Sequence, residues 1–213
     1  MKNKFLLFTV VILLSQFNLL SQTKTTRCQQ FNKLSRPEKC WVISHIFVAG
    51  KAWKITQFVR LQTDSVQKSN ILDGDANGGQ VDAFRHAFWM ASLSQKINYR
   101  KAIKLGNAHE KGNYLDYKKH RLEDGSFPDK ISSDMDFWNN DIGLQIGKSF
   151  PNISQDSLKK LVIEFISNGK MKVIKKNNFG QFLDNEGKII EKDSLKGRWE
   201  NAKVLINSNF KRN

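Results

Sequence analysis

Cysteine is almost missing from this chain. Among 213 residues there are two, Cys28 and Cys40. Neither has a histidine at ligand spacing, which excludes a zinc finger. Acidic side chains are also scarce: 20 Asp and Glu stand against 35 Lys and Arg, a formal net charge of +15. Such a surface favours polyanions (nucleic acid, anionic lipid headgroups or acidic glycans), and it equally suits a simple solvated lysine-rich coat. Beyond residue 14 no apolar run approaches the roughly 20 residues that a membrane span needs. There is no internal repeat and no low-complexity tract, so a solenoid is excluded. Apolar residues themselves are not short. At 39% hydrophobic with five Trp, the chain can build one domain with a real core, and disorder is excluded.

The N-terminus reads as a signal peptide over residues 1–22. Lys2 and Lys4 are basic, Phe5 to Leu14 (FLLFTVVILL) is a short apolar stretch, and cleavage is expected near Ser21–Gln22. The alternative is an uncleaved anchor. Export, periplasmic or secreted, makes a Cys28–Cys40 disulfide the expectation. Two unrelated thiols are the other reading. Residues 23–40 form an N-terminal arm.

The apolar pattern predicts a mainly α fold: a helical bundle-like domain over 41–170, carrying the candidate site. A small C-terminal β-hairpin and a terminal helix follow over 171–213. Trp41 to Leu61 reads as one or two helices broken at Gly50. Asp64 to Gln80 is turn-rich. Val81 to Ile97 and Tyr99 to about Leu115 are helices, and Asp116 to Ser133 a long loop. Ser133 is expected to cap a helix to Phe150, and Ser154 one that ends at Gly169. Met171–Ile174, Gln181–Leu183 and Lys188–Glu191 look like strands, with a turn at Asp184–Gly187. Leu195 to Ile206 reads as the terminal helix.

Three polar clusters stand out against this pattern. The helix QVDAFRHAFWMASL is apolar nearly all round and therefore buried, yet it holds Asp82, Arg85 and His86. Buried ionisable groups cost several kcal/mol unless partnered. They form either a locking Asp–Arg–His network or the floor of an active site. The next helix carries His109 and Glu110. Asn113 stands where a zinc-protease H-E-x-x-H would need its second histidine, which excludes that class. On the third helix Asp136, Asn140, Gly143 and Gly147 share a stripe, the glycines allowing close helix approach. A fourth element, Asp73-Gly74-Asp75-Ala76-Asn77-Gly78, matches half of a calcium loop, but position twelve is Phe84 rather than Glu. Asp82 is a geometric substitute, and a plain Asp/Gly turn is the alternative.

The blocks DAFRHAFW, AHE and MDFWNN, in that order, resemble an uncharacterised bacterial domain family over about residues 75–147. It supplies positions, among them Trp89, Asn139 and Asn140, and no chemistry. The order His86, His109, Asp136 is similar to HD-type metal phosphohydrolases, with Glu110 in place of that family's Asp. Phe84-Arg85-His86 resembles bacterial secreted phospholipases of the A2 type, in which an Asp on the facing helix pairs with the His. Asp136 is placed for that role, while Ala87 stands where that family has Asp. These likenesses imply an exported hydrolase, metal-assisted in one form, acting on phospholipid or nucleic acid. His86, His109, Glu110, Asp136 and Arg85 would be catalytic, and Asn139, Asn140 and Trp89 would bind substrate. Asp82, Asp73, Asp75 and Asn77 are candidate metal ligands, for zinc, magnesium or calcium. The partner would be an anionic polymer or an anionic membrane surface. The rivals are a non-catalytic envelope protein that docks lipid or glycan, and a secreted antibacterial toxin with an immunity protein.

Overall fold

Apolar spacing of three and four residues becomes helix along most of the chain. The computed structural model describes residues 27–122 and 126–211, so the expected signal peptide lies outside the described residues. The chain divides into two units, Met1–Leu34 and Ser35–Asn213. The described part of the first contains a short helix, α1 (Arg27–Lys33).

The second unit opens with α2 (Arg36–Ser44) and α3 (Ile46–Lys68). Ser35 and Glu38 form a reciprocal capping box at the start of α2. The expected break at Gly50 is absent; the helices part at His45. Its ring stacks on Trp41 at 4.7 Å, and its Nδ1 lies 2.9 Å from the Trp41 carbonyl, one of the orphan acceptors of the α2 terminus. A side chain, not a glycine, ends the helix. α3 then runs four residues beyond Asp64, past the expected start of the loop.

The buried helix is α4 (Gln80–Ile97). Val81, Phe84, Ala87, Phe88, Ala91 and Leu93 are wholly inaccessible to solvent. It packs against α3, α5 (Tyr99–Lys118), α6 (Lys130–Ser149), α7 (Gln155–Ser167) and strand β1 (Lys172–Ile174). The α4–α6 approach is the tightest. A Cβ on Gly143 would overlap the Ala87 carbonyl, and one on Gly147 would overlap that of Ala91. α6 starts earlier than expected because Asp129, not Ser133, caps it: Asp129 Oδ1 accepts from Ser132 N at 2.8 Å. Ser154 caps α7 as expected.

The C-terminal part carries a small antiparallel sheet, but the pairing differs in detail from the expected one. β1 pairs with β2 (Leu205–Asn207), Val173 facing Ile206. The expected strands at 181–183 and 188–191 amount to single bridges, Lys176 with Phe182 and Leu183 with Ile189. The expected terminal helix is corrected to one turn, α8 (Lys192–Leu195). Gly197 has a left-handed φ of +68°, which stops it, and Leu205–Asn207 extends because β1 offers an unpaired edge. The expected disulfide is also corrected: Cys28 and Cys40 are both exposed free thiols.

Candidate functional site

One turn of α4 separates Asp82 from His86, so both face the same neighbour. That neighbour is α6, drawn in by its two glycines, and it presents Asp136. Asp82, His86 and Asp136 are 6%, 4% and 8% exposed. One ligand atom from each lies within 4.8 Å of the other two. His86 Nε2 is 3.3 Å from Asp136 Oδ1 and 3.6 Å from Asp82 Oδ1. Burial holds the His86 imidazole well below its ordinary pKa, and the charges of Arg85 and His109 push the same way against a hydrogen bond to Asn140. It is therefore neutral. Burial pushes the Asp82 carboxyl up, opposed by Arg85 and by the Gly78 N–H.

Acceptor oxygens flank both nitrogens of that ring. Both oxygens of buried Glu110 accept from amides, Asn113 Nδ2 and Asn140 Nδ2, each at 3.3 Å. This turns Asn140 Oδ1 toward His86 Nδ1, at 3.4 Å. A carbonyl or carboxylate oxygen can only accept, so a proton on Nδ1 would meet Asn140 Oδ1 and one on Nε2 would meet Asp136 Oδ1 at 3.3 Å; a cation held by the two carboxylates would select the first. With the proton on Nδ1, three electron-pair donors would converge on one point. Metal-bound histidines are oriented in just this way, by a carbonyl or carboxylate on the other nitrogen. The donor set of one imidazole and two carboxylates fits a divalent ion of the zinc or manganese kind and leaves positions open. Arg85 stands at the edge: its side chain is 31% exposed, and its Nη2 is 2.6 Å from Asp82 Oδ1 and 3.5 Å from His86 Nε2.

His109 lies beside this group and outside it. Its ring is 6.3 Å from that of His86 and edge-on to Trp89 at 5.6 Å. Its Nδ1 is held 3.1 Å from Glu38 Oε1. Burial pushes the Glu38 carboxyl up, but the hydrogen bond and charge of His109 and the bonds from Ser35 outweigh it, and its pKa is lowered. Glu38 escaped sequence reasoning. Its one local signal was the spacing Ser35-x-x-Glu38 of a capping box, and its partner is 71 residues away.

Three expected site residues hold structure together. Asn139 exchanges two hydrogen bonds of 2.9 Å with the backbone of Lys172, fastening β1 to α6. Trp89 Nε1 donates to Thr56 Oγ1 at 2.9 Å. Glu110 acts through Asn140 and does not join the Asp82–His86–Asp136 group. The half calcium loop is likewise held by protein groups. Asp73 oxygens accept from Gln80 N at the start of α4. The Lys176 ammonium sits 2.7 Å from Asp75 Oδ2 and 2.5 Å from the Asn77 carbonyl. The loop's own task is visible at Gly78. Its N–H donates to Asp82 Oδ2 at 2.7 Å, and its carbonyl accepts from Ile174 N at 2.7 Å. The C-terminal strand thus steadies the loop that aims Asp82.

A family model described as a domain of unknown function (DUF6973) matches residues 39–170. Neither the curated proteins nor the solved structures contain a match.

Proposed function

Because the chain belongs to the DUF6973 family, a domain of unknown function, and membership assigns no chemistry, we propose from the geometry that it is a metal-assisted hydrolase of phosphate-bearing substrates. The observation that carries this reading is the convergence of Asp82, His86 and Asp136 within 4.8 Å. Asp82 Oδ1, His86 Nε2 and Asp136 Oδ1 would hold the ion. A divalent ion supplies charge stabilisation at a phosphoryl oxygen and acidifies water. Asn140, oriented by Glu110, would accept from His86 Nδ1–H and leave Nε2 for the ion. Arg85 is placed to take an anionic oxygen of the substrate. Glu38 fixes His109 through Nδ1, so His109 exchanges protons through Nε2, in the manner of a carboxylate-oriented general acid or base.

One observation favours a second reading. All three ligand residues are buried, and the Arg85 guanidinium already neutralises Asp82. The same groups then form a locking network in a non-catalytic protein. Calorimetric titration with Zn2+, Mn2+, Mg2+ and Ca2+ separates the two, paired with assays on a phosphodiester, a phospholipid and a nucleic acid. The hydrolase reading expects one-to-one metal binding, chelator-sensitive activity, and loss of both in His86→Ala and Asp136→Asn. A wild type that takes up no metal and hydrolyses none of the three substrates would sink it. Export by residues 1–22 remains part of this reading; the N-terminal mass of the secreted chain tests it.

A further inference from the structure

We propose that the elbow between α2 and α3 docks on an anionic lipid bilayer. Ile43, Ile46 and Phe47 are 66%, 64% and 96% exposed. Single exposed apolar side chains are ordinary, but three within five residues at a helix corner are not. On α3, Phe47, Lys51 and Lys54 fall on one face at helical spacing, while Ala52 and Val59 are buried on the other. From Lys39 to Thr63 there is no acidic residue, whereas Lys39, Lys51, Lys54 and Arg60 are cationic. An apolar tip backed one and two turns later by lysines is what a headgroup layer accommodates: the tip enters the acyl boundary and the ammonium groups stay at the phosphates.

Charge decides among occupants. A second copy docking by the same face would bring the Lys51 and Lys54 of both copies into one interface with no acidic residue from 39 to 63 to pair them, which is repulsive. A nucleic acid would use the lysines and leave Ile43 and Ile46 without purpose. An anionic bilayer uses both sets. Attachment would be peripheral, since no described helix is long and apolar enough to cross a membrane. It does not depend on whether the Asp82–His86–Asp136 centre binds metal.

The test is co-sedimentation of the full chain with vesicles of phosphatidylcholine alone and of phosphatidylcholine with phosphatidylglycerol, at low and high salt. Wild type should pellet with the anionic vesicles, and salt should weaken binding steeply. Ile46→Ser/Phe47→Ser should lose affinity by about tenfold or more, and Lys51→Glu/Lys54→Glu by roughly a hundredfold. These side chains are exposed, so the melting temperature should hold; should the first variant fail to fold, the second reads the same surface. The apolar N-terminal run is common to every variant, so the comparison isolates the elbow. Variants that bind like wild type would overturn the idea. So would equal, salt-insensitive binding to neutral vesicles, or a wild-type dimer in light scattering that Phe47→Ser dissociates.

Discussion

Glu38 shows how one side chain serves two ends. It closes the cap of α2 through Ser35 and holds His109 across to α5. Its lowered pKa gives a signed expectation. As pH falls, the unfolded carboxyl protonates first, near 4.5. The stability from this pairing is therefore present above that value and lost as pH falls through the folded value. Glu38→Gln should cost about 1–2 kcal/mol at neutral pH, and the gap from wild type should close in urea melts as the pH is taken down through the lowered folded value. A pH-independent gap would show that the charge contributes nothing. Both cysteines being free makes a second residue-scale expectation: a thiol reagent should titrate Cys28 and Cys40 in the native protein. A mass two protons light, with neither thiol reacting, would restore the bridge.

At the scale of elements, α4 was legible because its apolar residues cover every face and leave Asp82, Arg85 and His86 as misfits. Its contact with α6 was legible in part, through Gly143 and Gly147. Gly143→Ala should destabilise by roughly 3 kcal/mol or more, since overpacking against a backbone carbonyl relaxes poorly. Gly50→Ala in α3, where a Cβ would meet nothing within 4 Å, should instead be neutral or stabilise by up to about 1 kcal/mol. Equal effects in thermal melts would contradict the close approach. Other elements could not be read locally. The break at His45 depends on a ring stacking on Trp41, and propensity has no expression for that. Leu205–Asn207 has helical spacing with its neighbours and becomes a strand only because β1 needs a partner. Lys176 reaches Asp75 over 101 residues, so nothing near the half calcium loop announced the ammonium that sits in it.

Over the whole molecule, the mainly helical plan with a small antiparallel sheet followed from hydrophobic periodicity. The candidate site followed only as a set of positions. His86 and Asp136 do meet, while Glu110 and Asn139 turn out to orient other groups. The difference lies in direction: sequence places a residue on a helix, and only packing decides which neighbour its side chain reaches.

Strand β2 has a consequence in time. Lys172 and Leu205, the first residues of the two strands, are 33 residues apart in the chain. At a synthesis rate of about 5–20 residues per second, that separation takes roughly 2–7 s. During that interval α4 and α6 have been made, but β1 has no partner strand, and β1 is what grips the Gly78 loop and, through Asn139, α6. Closing so long a loop also carries an entropic cost that local helix contacts avoid. The sheet that backs the Gly78 loop is therefore completed only after the whole of the Asp82–His86–Asp136 cluster has been made. A nascent copy carries every ligand of the cluster before it carries the strand that completes the sheet behind it.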